Sequence, residues 1–97
     1  MVATENTWDL KLYVVGDRPG SAAAIKNLTR VCDRYLHDRC HIEIIDLLLH
    51  PEIARQEQIV AIPTLQRLQP KPVKLLVGNF TNEASVLKGL GIEQEGL

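Results

Sequence analysis

Leu10-Lys-Leu-Tyr-Val-Val15, closed by Gly16, and His41-Ile-Glu-Ile-Ile-Asp-Leu-Leu-Leu49 frame the stretch on which the fold turns. Both runs are rich in β-branched residues and leucine, and both read as buried strands. Between them Ala24, Ile25, Leu28, Val31, Cys32, Tyr35 and Leu36 recur at threes and fours. That spacing lays one apolar face along a helix from Ala22 to Leu36. Ser21 is its expected N-cap. Strand, helix and strand at this spacing form a βαβ unit, with parallel strands and a right-handed crossover. The unbroken apolar tail of the second run predicts burial on both faces.

Working outward, Pro51 suits the first position of a short helix that runs through Glu52–Gln58. Thr64–Leu68 and Val73–Val77 are brief apolar runs around Gln69-Pro-Lys-Pro72, a connection of hairpin size. Thr81 or Asn82 can cap a last helix, Glu83–Leu90, with Glu83 at the positive end of its dipole. The order is β-α-β-α-β-β-α, an α/β thioredoxin-like arrangement with expected strand order 2-1-3-4. Ile62-Pro63-Thr64 before the third strand fits that class, in which a cis proline commonly sits there. The whole chain, 1–97, reads as a single domain with flexible ends at 1–7 and 92–97.

The composition narrows the function. Among 97 residues there are 14 Leu, 8 Ile and 8 Val, with one Trp, two Tyr and one Phe, so the core is aliphatic. A net charge of −1 gives no general attraction to nucleic acid or to anionic lipid. No apolar run approaches the ~20 residues that span a bilayer. Met1–Asp9 lacks a basic segment followed by an apolar one, and Cys32 and Cys40 cannot make a disulfide framework. A soluble protein of the reducing cytoplasm, bound neither to nucleic acid nor to membrane, is the expectation.

Catalytic chemistry is hard to find. A thioredoxin-type dithiol needs a thiolate at the N-terminus of the first helix, where the helix dipole stabilises it. That junction reads Gly16-Asp-Arg-Pro-Gly-Ser21, without sulfur. Cys32 reads as a small hydrophobe on the buried helix face, and Cys40 follows the helix end. Cys32, His37, Cys40 and His41 have the residue types of a zinc site, but their elements do not converge on one tetrahedral centre. Gly16 and Gly20 lack the lysine of a phosphate loop. No catalytic residue, metal or cofactor is expected. Lys26, Arg30 and Arg34, spaced by four on the polar face of the helix, are either a solvated face or a docking surface for an acidic partner. Lys71 and Lys74 beside the hairpin pose the same alternative.

Leu10-Lys-Leu-Tyr-Val-Val-Gly16, Pro19-Gly-Ser21, Ile45-Asp-Leu47, Ala61-Ile-Pro-Thr-Leu65, Pro70-Lys-Pro-Val73 and Val86-Leu-Lys-Gly-Leu90 together resemble the KaiB family, over about residues 8–90. The resemblance implies a non-enzymatic clock protein that binds a KaiC-type ATPase ring and modulates its phosphorylation cycle. It also implies a second, ground-state fold, a dimer or tetramer in which the C-terminal half is rearranged. KaiA-like proteins and histidine kinases are further implied partners. Ala23 and Glu43 stand where clock members carry basic residues, and Gly91 where they carry Asp; these changes bear on the KaiA-type interaction. Lys26, Arg30, Arg67 and Lys74 are the expected partner contacts. Pro63, Pro70, Pro72, Gly89 and Gly91 are the expected switch elements. A free-standing antagonist resembling the sensor domain of the kinase SasA, competing for the same ring, is the alternative, with a thiol redox protein behind it.

Overall fold

The computed structural model describes residues 7–37 and 39–92. Strand β1 (Trp8–Val14) leads to helix α1 (Pro19–Val31), strand β2 (Cys40–Asp46) and helix α2 (Pro51–Gln56). Strands β3 (Thr64–Gln69) and β4 (Lys74–Val77) and helix α3 (Glu83–Leu90) follow. The sheet order is β2-β1-β3-β4, with β2 parallel to β1 and the other two pairings antiparallel. This is the expected thioredoxin-like topology. Of the ends expected to be flexible, residues 1–6 and 93–97 lie outside the described residues, while Thr7 is exposed and Ile92 packs against the core.

Alternation along β1 builds two cores. Leu10, Leu12 and Val14 face α1 and α3, where Leu28, Val31, Leu36, Leu65, Val86, Leu87 and Leu90 close around them. Tyr13 points the other way and is covered by Ile45 and Leu47, with Ile53, Ala54 and Ile59 packed against it. Period-two side chains make both faces of one strand apolar only when helices lie on both sides of the sheet.

Several local expectations are corrected. Ser21 is not the N-cap of α1: the helix starts at Pro19 after Arg18, which makes no side-chain cap bond. Proline preorganises the first turn and its missing N–H would have had no helical partner, so the helix opens earlier. The Ser21 hydroxyl instead accepts from Val15 N at 3.2 Å and lies 3.4 Å from Val15 O, tying the helix to the end of β1. The helical span does reach Leu36, but Cys32–Leu36 has π-helical spacing, with His37 N donating to Cys32 O at 2.9 Å. The second strand stops at Asp46 and is not buried on both faces. It is a sheet edge with one neighbour, so Ile44 is 47% exposed and Leu48 and Leu49, beyond the strand, 66% and 73%.

The last helix follows local signals closely. Asn82 Oδ1 accepts from Ser85 N at 3.0 Å, and Gly91 ends the helix in the left-handed region at φ 80. Gly91 N and Ile92 N both donate to Leu87 O, satisfying a terminal carbonyl. Glu83 links this helix to the end of the first: it accepts from Tyr35 Oη at 2.6 Å and pairs with Arg34 at 3.2 Å.

The Tyr35 hydrogen bond first, and the Arg34 charge after it, hold the Glu83 carboxyl below its ordinary value of 4.5. A depressed acid stabilises the fold fully above its unfolded pKa, and the contribution fades as pH falls through the folded one. Thermal melts between neutral and acid pH should therefore show wild-type stability falling more steeply below pH 4.5 than that of Glu83→Gln. Parallel curves would remove Glu83 as a source of acid sensitivity.

Candidate functional site

The register of the hairpin decides what faces outward. Tyr13 pairs with Thr64 and Lys11 with Gln66; Thr64 in turn pairs with Val77 and Gln66 with Leu75. Leu75 and Val77 therefore stand on the same side of the sheet as Tyr13, the side that carries α2. That helix is only six residues long, and its apolar side chains pack over Tyr13 and Ile45, on the β1–β2 half. Nothing among the described residues covers the other half. Val73 is 46%, Leu75 59% and Val77 64% exposed.

The loop before β3 carries further exposed apolar side chains. Gly78 N donates to Pro63 O at 3.0 Å, bringing the end of β4 beside that loop, where Val60 and Ile62 are exposed. Burying one Val, Leu or Ile side chain is worth about 1.5–3 kcal/mol, so Leu75 and Val77, left in water on one strand face, make a candidate place of contact. Since β4 is also an edge strand, its outer backbone groups are free to pair with another chain. The patch offers apolar area and a hydrogen-bonding edge together.

The expected site residues are scattered. Lys26 and Arg30 are exposed on α1, with Arg30 Nη2 donating to Asn27 Oδ1 at 2.8 Å. The third member of that stripe, Arg34, is taken up by Glu83. Lys74 is exposed on β4, in register with Arg67, and no hydrogen bond or ion pair among the described residues joins it to the α1 stripe. Arg67 itself is corrected as a surface contact, because it is 4% exposed. Its Nη1 donates to Leu90 O, its Nη2 donates to Pro72 O at 2.7 Å, and its guanidinium lies 5.5 Å from the centre of the Trp8 ring. Pairing with Leu10 across the sheet turns this side chain into the α1–α3 core, where it fastens the helix end and the hairpin.

Two of the expected switch residues, Pro72 and Gly91, lie against that arginine. The peptide bonds before Pro63, Pro70 and Pro72 are all cis. A β-carbon at Gly91 would stand 3.1 Å from Arg67 Nη1, and one at Gly89 would stand 2.5 Å from Leu76 Cδ2. Both glycines thus permit close approach of the last helix to the hairpin. Leu75, Val77, Val60 and Ile62 were not among the expected contacts. Alternation in Val73-Lys-Leu-Leu-Val77 was the available signal, but it cannot tell which face a short helix will leave bare.

The Tyr13 hydroxyl donates to Gln66 Oε1 at 3.1 Å, and burial first, then the Glu57 and Glu43 charges, raise its pKa. Among the described residues no three His, Cys, Asp or Glu side chains group as metal ligands, and no helix is long and apolar enough to cross a membrane.

Comparison with known proteins gives the lineage. The KaiB domain family model matches residues 11–92. Circadian clock protein KaiB3 of Synechocystis sp. is 41% identical over 88 residues, covering 91% of this chain and 86% of that one. The chain belongs to the KaiB family. Circadian clock oscillator protein KaiB of Nostoc punctiforme is 34% identical over 97 residues, 100% of this chain and 93% of its own. Among solved structures, the N-terminal domain of Synechococcus elongatus SasA superposes with a TM-score of 0.72 at 19% identity, covering 100% of this chain and 92% of that one. Chloroplastic thioredoxin z reaches the same TM-score at 18% identity, covering 89% of this chain and 77% of its own. At those identities the likeness is one of fold. This KaiB family member has the thioredoxin-like architecture without a cysteine where α1 begins.

Proposed function

We propose that this chain is a non-enzymatic cytoplasmic regulator that binds a KaiC-type ATPase ring and modulates its phosphorylation and ATPase cycle. The observation that carries this reading is the exposed apolar pair Leu75 and Val77 on one face of an open edge strand, in a member of a clock-protein family. Such a surface suits a large protein partner better than a small molecule. Lys26, Arg30 and Lys74 act as peripheral cations that steer the encounter.

The mechanism is population shift: the ring selects the thioredoxin-like form and draws molecules from a ground state. That ground state is a dimer or tetramer in which the C-terminal half packs differently, with Pro63, Pro70, Pro72, Gly89 and Gly91 as the switch elements. Exposed apolar residues after β2 support it, because a second packing must have apolar side chains left to bury. One variant of this reading is an antagonist that competes with a SasA-type kinase sensor domain for the same ring.

The test mixes the purified chain with KaiC-type hexamers and ATP, and follows co-migration on size exclusion together with ring phosphorylation. Binding that alters the phosphorylation time course is expected, and SasA sensor domain added in excess should displace the chain. Failure to co-migrate with any KaiC-type ring under ATP hydrolysis overturns the reading. A Lys26→Glu, Lys74→Glu double reversal should slow association by about tenfold at low salt, with the difference shrinking as salt rises. Equal association rates at low salt would remove these cations from the encounter.

A further inference from the structure

Two sulfurs that the proposed ring binding does not use lie against each other at the far end of the first helix. Cys32 opens the π-helical stretch after α1, and Cys40 is the first residue of β2. Their Sγ atoms are 3.0 Å apart, and both thiols are free. That is roughly 1 Å longer than a covalent disulfide. Hydrogen bonds hold the backbone around both: His37 N to Cys32 O, Arg39 N to Leu36 O, and Trp8 N to Arg39 O. These bonds anchor the end of the helical span and the start of β2, the two elements that carry the sulfurs.

We propose that Cys32 and Cys40 form a reversible internal disulfide, a redox-sensitive staple between the end of α1 and the start of β2. The two sulfurs are unequal in access. Cys32 is 3% exposed within the core, whereas Cys40 is half-buried and reachable from solvent. Their shared hydrogen bond stabilises a thiolate at Cys40, lowering its pKa, and raises that of the buried Cys32. Cys40 is thus the attacking sulfur and Cys32 the resolving one.

With a low-molecular-weight disulfide such as glutathione disulfide as oxidant, the step balances. The Cys40 thiolate attacks one glutathione sulfur and releases the other as a thiolate, leaving a mixed disulfide. Cys32 gives its proton to that thiolate and attacks Cys40 Sγ; the Cys40–glutathione bond breaks and a second glutathione leaves. Two protein thiols are oxidised and one glutathione disulfide is reduced to two thiols. The pair lies at the opposite end of α1 from the junction where thioredoxin-type dithiols act, so its product is a tied turn.

The experiment equilibrates the full chain in glutathione buffers of rising oxidised fraction and reads intact mass before and after alkylation. The expected product is two hydrogens lighter, resists alkylation and returns to the dithiol with dithiothreitol. Cys32→Ser should stop at a stable glutathione adduct on Cys40, and Cys40→Ser, checked for folding by circular dichroism, should lose the reaction altogether. Wild-type chain that ends as glutathione adducts, as disulfide-linked dimers or unchanged overturns the proposal, and this wild-type readout decides even where a variant does not fold.

Discussion

Replacing Arg67 with alanine is expected to lower folding stability by about 3–5 kcal/mol, since two charge-assisted hydrogen bonds vanish and a core volume empties. The guanidinium holds three separate pieces of chain: the Leu90 carbonyl at the end of α3, the Pro72 carbonyl in the hairpin turn, and the Trp8 ring at the start of β1. Its Nε has no partner among the described residues, and burial lowers its pKa, so the site stores a desolvation cost that its partners offset. A domain of this size is stable by only about 5–15 kcal/mol, so the loss is a large fraction of the whole.

Urea unfolding, followed by the fluorescence of the chain's one tryptophan and by circular dichroism, measures it. Arg67→Met separates the two contributions. Methionine refills much of the volume but leaves both carbonyls without their donor, so its cost should fall to roughly 1–3 kcal/mol. A change under about 1 kcal/mol for Arg67→Ala would show that the arginine does not fasten the hairpin to the last helix.

Leu75→Asp with Val77→Asp should weaken binding to a KaiC-type ring by at least about 30-fold, the loss expected when residues at the centre of an interface are made unfit for burial. Both side chains are more than half exposed in the free thioredoxin-like form. Their replacement should therefore change the stability of that form little, within roughly 0.5 kcal/mol per site. The contrast with Arg67 is the useful part: one change acts on the fold and the other on the encounter, although they lie on neighbouring strands. Ring affinity measured by interferometry, with circular dichroism as the control, tests it. An affinity within threefold of wild type would move the docking surface away from the outer face of β4.

Arg67 also shows where reading along the chain stops short. In Thr64-Leu-Gln-Arg-Leu-Gln69 an arginine looks like an exposed cation, and charged residues are seldom buried. Only the pairing of β3 with β1, placing Arg67 beside Leu10, turns it inward. Cys32 and Cys40 follow the same logic. The spacing of apolar residues puts Cys32 on the buried helix face, where the structure has it, but its contact with Cys40 comes with a π-helical turn that residue spacing does not encode. Asn82 and Gly91, by contrast, act where the chain read in order puts them, because capping involves groups within a few residues.

Element order, strand order, the family and the absence of a cysteine at the start of α1 were thus legible in the residues alone. Hydrophobic period, turn chemistry and motif are local properties, set by neighbours three or four positions away. Tertiary structure alone decided that the apolar tail after β2 is left exposed, that α2 stops short of β4, that Arg67 lies inside and that two thiols meet. Each of these rests on packing between segments distant along the chain, where the register of one strand against another, and the reach of one short helix, determine which side chains water can touch.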